Sequence, residues 1–147
     1  MNRFIPLFLL LAATLLSAAS MDVPAVDAQG NGVLTHIEAK AQAGDGDVFV
    51  SVEPLTGVDT QQSEKLAVKI AAQKAGVDPQ KYDVLFKIVS SAEVVDGPSA
   101  GAALTALSYA EFSKKPARRD LALTGTIERD GKVHTATIQP REQARQA

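Results

Sequence analysis

Cysteine and tryptophan are absent from the 147 residues, histidine occurs twice, and aromatic residues make up only 5%. Without cysteine no disulfide can staple the fold, so it must hold together by packing. The same absence excludes a thiol nucleophile, a thiolate metal site and a lipid-modified cysteine at the end of a leader. His36 and His134 are too few for a histidine-rich metal centre, and no cofactor is expected. Charge of one sign is also lacking: the formal net charge is -2. With no basic stripe along any segment, nucleic acid is not an expected partner.

One apolar run stands out at the N-terminus. Arg3 precedes Phe4 to Leu16, and the small residues Ser17, Ala18, Ala19 and Ser20 follow. This order matches an export signal with a peptidase site, cut near Ser20 or Met21. The run of about 15 apolar residues is short for a spanning helix, which needs ~20. An uncleaved membrane tether through residues 4–19 is the second option. A buried core helix fits less well, because the run has no polar face. The expected division is therefore a signal or anchor over 1–20, a polar linker over 21–32, and one domain over 33–147. The protein is expected to be exported, extracellular or in the cell envelope.

Within the domain, Val33 to Ala41 alternates as a strand does, and AGDGD at 43–47 predicts a hairpin turn into a return strand over Val48–Val52. A helix follows, with Asp59 or Thr60 as cap. Leu66, Ala67, Ile70 and Ala71 fall on one face, and Gly76 stands just past the end. Tyr82 to Ser90 predicts a central strand buried on both faces. A second helix, apolar nearly all round, is predicted from about Ser99 to Ser113, stopped by Lys114, Lys115 and Pro116. Asp120 to Ile127 predicts a strand, ERDGK a turn with Asp-Gly at its tip, and Val133 to Ile138 a further strand. The pattern is α/β, a mixed sheet packed with helices.

The segment VVDGPSAG, Val94 to Gly101, carries the chemistry. A serine opening an apolar helix stands at the positive end of the helix dipole, beside amides with no intrahelical partner. Such a place stabilises an alkoxide or the oxyanion of a tetrahedral intermediate. Gly97 and Gly101 would let a substrate backbone come close. Alternatively Ser99 only caps its own helix, Asp96 only forms a turn, and Thr124 is only a strand residue.

DGPSAG opening an apolar helix, with TGTIERDGKV about twenty residues later, resembles the proteolytic domain of the Lon-type serine proteases. The resemblance extends upstream through VFVSVEPLTG, SEKLAVKIAAQKAG and YDVLFKIVSSAEVVDGPSAG, covering roughly residues 46–133. It implies an endopeptidase in which a buried, neutral lysine takes the serine proton. Ser99 matches the nucleophile, Asp96 and Gly97 match the loop that shapes the oxyanion site, and Thr124 matches a threonine beside the catalytic lysine. Polypeptides are the implied substrates, and a homo-oligomer is a further implied partner. No GxxxxGK[ST] motif is present, so any activity of the chain is expected to be independent of ATP.

In that family a Gly-Gly turn and a GGxxEK helix supply the lysine. Here the sequence reads HTATIQPREQARQA, and the family spacing falls on Glu142 or Gln143. Three accounts stay open. The C-terminal part is incomplete through truncation or a frameshift, which the abrupt loss of pattern at Val133 favours; or the chain is an inactive peptide-binding or assembly module; or Lys114, Lys115, Lys132 or His134 serves as base. Small-molecule kinases of related topology also cradle phosphate at a Gly/Ser-rich helix start. The short chain, the leader and the TG strand argue against that reading.

Overall fold

The computed structural model describes residues 18–26, 31–51, 53–118 and 120–135. In chain order the elements are β1 (Ala19–Val26), β2 (Gly32–Ala43), β3 (Val48–Val50), β4 (Leu55–Thr56) and α1 (Val58–Ala75). Then come β5 (Tyr82–Val89), β6 (Val94–Val95), α2 (Gly101–Ser113), β7 (Thr126–Ile127) and β8 (Val133–His134). The main sheet has the order β1-β2-β5-β3, antiparallel except for the parallel β3–β5 pair. Two small pairs accompany it, β4–β6 parallel and β7–β8 antiparallel. The mixed sheet packed with helices is the fold class that the sequence pattern predicts.

Alternation along each strand sends Met21, Val23, Ile37, Ala39, Val84, Phe86 and Ile88 to one face. There they meet Ala67, Ala71, Leu104 and Leu107 from the two helices. Ile37, Ile88, Leu104 and Leu107 are fully buried, each contributing about 1.5–3 kcal/mol by leaving water. Tyr82 and Phe112 make an edge-to-face contact at 5.4 Å, which ties the end of α2 to the start of β5. α1 ends as its sequence predicts, with Gly76 at φ 70° and the Val77 N–H donating to the Ala72 carbonyl.

Four expectations are corrected. First, residues 21–26 are not linker: they belong to β1, whose Ala19, Met21 and Val23 are buried. Asp, Pro and Gly over 21–32 suggest a loop, but alternation and pairing with β2 override that propensity. The expected signal or anchor over 1–20 lies mostly outside the described residues; its last two positions, Ala19 and Ser20, are strand. Second, AGDGD turns the chain without making a hairpin, because β5 inserts between β2 and β3. Amides of Asp45 and Asp47 bind the Asp83 carboxylate at 2.9 and 3.1 Å, so the turn is anchored to β5. Third, β5 is central in the sheet but buried on one face only; Val89 is 49% exposed, since both helices pack on the opposite side. Fourth, the strand predicted over 120–127 is reduced to β7 and a single parallel bridge between Ala122 and Asp22 of β1.

Candidate active site

α1 starts at Val58 without a side-chain cap, so neither Asp59 nor Thr60 caps it. Thr60 instead is buried and points its hydroxyl at the loop before Ser99, donating to the Gly97 carbonyl at 3.3 Å and to Val95 at 3.5 Å. The loop is built to be tight. Asp96 accepts the Gly97 N–H at 2.8 Å, and a Cβ at Gly57 would collide with the Asp96 carboxylate. Gly97 has φ 109° and ψ 158°, a conformation that L side chains rarely adopt.

Pro98–Ala100 form a 3-10 turn that runs straight into α2. Ser99 therefore sits two residues ahead of Gly101, where the helical run opens. The capping alternative fails: neither the turn nor α2 has a side-chain cap. Among the described residues the Ser99 hydroxyl makes no hydrogen bond. Its carbonyl, by contrast, is held twice, by the Gly125 N–H at 2.8 Å and by the Thr124 hydroxyl at 3.2 Å. The Ala102 N–H returns the tie to the Gly125 carbonyl at 2.9 Å. Asp96, Gly97, Ser99 and Thr124 are thus brought to one place. Gly101 is not open to a substrate, because it is buried and a Cβ there would press on Ile127 of β7.

Among the described residues none of the alternative bases is hydrogen-bonded to the hydroxyl. Lys132 lies at the β7–β8 turn and pairs with Asp130 at 2.7 Å. Lys114 is the αL cap of α2, exposed at the helix end opposite to Ser99. His134 is exposed on β8, and its carbonyl accepts from Thr126 at 3.5 Å. Glu142 and Gln143 lie outside the described residues.

The proteolytic domain at the C-terminus of Lon protease (S16) is the family whose sequence model matches, over residues 24–138. The chain belongs to the Lon proteolytic-domain family. Lon protease 1 of Sorangium cellulosum is 34% identical over 111 residues, 71% of this chain and 13% of that protein. Lon protease of Xanthomonas oryzae is 31% identical over 106 residues, 69% and 12% of the two chains. Lon protease of Aquifex aeolicus is 32% identical over 108 residues, 69% and 13%. The chain thus spans about an eighth of the length of these relatives, the part that corresponds to a Lon protease domain.

Three residues that matter escape a reading by motif. Thr60 looks like a cap and is instead a loop tether. Glu64 is 2% exposed, and burial pushes its carboxyl up to about 7. Its spacing from Ala67, Val68 and Ala71 puts it on the buried face, which is the available signal. Glu111, the only acid in α2, accepts the Ala19 N–H at 2.9 Å and the Ala41 N–H at 3.1 Å.

Proposed function

We propose that this Lon-type domain is a serine endopeptidase acting on polypeptides through an acyl-enzyme on Ser99, without ATP. In this reading the Ser99 oxygen attacks the scissile carbonyl and a base takes its proton. The amine leaves protonated, and water then cleaves the ester and restores the hydroxyl. What supports it is an uncapped hydroxyl at a helix start whose backbone is pinned by Thr124 and Gly125. Amides at such a start suit a developing oxyanion. In this reading the base is a lysine with Thr124 beside it, as the family resemblance implies.

The second reading is an inactive module that binds extended peptides or assembles with its own copies. Among the described residues no lysine or histidine is hydrogen-bonded to the Ser99 hydroxyl. A serine without its base is a weak nucleophile, and loss of one member of such a unit costs several orders of magnitude in rate. The Arg3-led apolar run further supports export, with a membrane tether through residues 4–19 where the leader is kept; a homo-oligomer is part of the same proposal.

The deciding experiment compares wild type with Ser99→Ala in casein-type hydrolysis and in fluorophosphonate labelling. Robust turnover that disappears with Ser99→Ala supports the peptidase, and His134→Ala and Lys132→Ala then test the base. Equal, negligible turnover in both supports the inactive module.

A further inference from the structure

β1 stops at Ala19 while its partner β2 runs on to Ala43. In the antiparallel register Ala19 faces Ala39, and the next inward position of β2 is Ala41. Both donors at this step of the ladder are taken by one side chain. Glu111 Oε1 accepts from the Ala19 N–H at 2.9 Å, and Oε2 accepts from the Ala41 N–H at 3.1 Å. Glu111 is 6% exposed, so its carboxylate has little water to replace either partner. The Glu111 carboxylate thus bridges the first residue of β1 to β2.

β1 is also joined to the nucleophile. The Leu123 N–H donates to the Asp22 carbonyl at 3.2 Å, beside the Asp22–Ala122 bridge. Two residues on, the Gly125 N–H holds the Ser99 carbonyl at 2.8 Å. The path from Glu111 through β1 and 122–125 to Ser99 is continuous.

We propose that Glu111 sets the limit of N-terminal processing, with Ala19 the first residue that the folded domain retains. The inference does not rest on the peptidase reading. The small-residue sites that give a start at Ser20 or Met21 cut inside the ladder. They would remove the Ala19 N–H and leave Glu111 Oε1 buried without its donor. Hydrolysis between Ala18 and Ala19 has the opposite effect. Water adds across the peptide bond, leaving a carboxylate on Ala18 and an α-ammonium on Ala19, and the Glu111 contact becomes charge-assisted. Processing beyond Asp22 would also remove the carbonyl that the Leu123 N–H binds, and with it the neighbour of the 122–125 backbone that holds Ser99.

The full chain, purified from a host with active export, is treated with a broad aminopeptidase and its N-terminus is read by intact mass. The wild type should keep Ala19 throughout, whether the leader is retained or cut. Glu111→Gln, which leaves one acceptor oxygen, should be trimmed past Ala19. In native-state hydrogen exchange the same variant should expose the Ala19 or Ala41 amide about tenfold faster, with the Ile37 and Phe86 amides unchanged. A wild-type product that starts at Ser20 or later, or the same stopping point in both proteins, would overturn the proposal.

Discussion

The Thr124 hydroxyl donates to the Ser99 carbonyl at 3.2 Å, joining two residues 25 positions apart in the chain. With the adjacent Gly125 N–H on the same oxygen, it fixes the backbone of the candidate nucleophile while leaving the hydroxyl uncommitted. Thr124 thereby serves as a backbone support for Ser99, whatever else it touches.

Because the Ser99 hydroxyl bonds to no described residue, removing it should cost the fold little. Ser99→Ala is expected within about 0.5 kcal/mol of wild type in urea unfolding, since surface changes without lost partners stay in that range. A fall of more than about 2 kcal/mol would mean that the serine is structural after all.

Two glycines should be separable by mechanism. Gly97→Ala forces a side chain into φ 109° and should cost about 1–3 kcal/mol, with slower fluorophosphonate labelling of Ser99. Gly101→Ala presses on Ile127 and should cost a similar amount, about 1–3 kcal/mol, through overpacking. A crystal structure of the second variant should show β7 displaced. An unmoved β7 at full stability would refute the close-packing argument.

Thr60→Val keeps shape and removes the donor to Gly97 and Val95, whereas Thr60→Ser keeps the donor. Labelling of Ser99 is expected to slow about threefold to tenfold in Thr60→Val, the rate equivalent of losing one modest hydrogen bond. Thr60→Ser should restore most of it. Equal rates in all three proteins would show that the tether does not position the loop.

Glu64 gives the pH dependence. Burial raises its carboxyl from 4.5 to about 7 in the folded state, so the folded chain binds more protons than the unfolded one between those values. Its contribution to stability is complete below about 4.5, declines as pH rises, and levels off above about 7. The loss across that window is at most about 3 kcal/mol, less where water screens the carboxyl. Glu64→Gln should flatten the curve and be the more stable protein at pH 8. Parallel melting-temperature profiles between pH 4 and 8 would contradict this.

Much of the fold and part of the site are legible in the sequence. Leu66, Ala67, Ile70 and Ala71 at helical spacing with Gly76 beyond them specify α1 and its end, because periodicity and the αL preference of glycine are local effects. The alternation of Val84, Phe86 and Ile88 specifies β5, but not that the face carrying Val89 stays open. DGPSAG with the later TG carries the resemblance to the family, which the sequence comparison bears out.

Tertiary structure decided what depends on distant partners. AGDGD marks a turn, but only the insertion of β5 between β2 and β3, with Asp83 holding the turn, makes β3 parallel to β5 rather than antiparallel to β2. Ala19 to Val26 looks like leader and linker until β2 and Glu111 supply the hydrogen bonds that make it strand. Thr60 is a sound cap candidate locally and becomes a tether only because the Gly97 carbonyl lies across from it. The sequence by itself determined helix phases, the alternation of β2 and β5 and the residue types at the nucleophile. Pairing order, the strand state of Ala19–Val26 and the support of Ser99 through Thr124 were decided by long-range contacts, since no local energy distinguishes one distant partner from another.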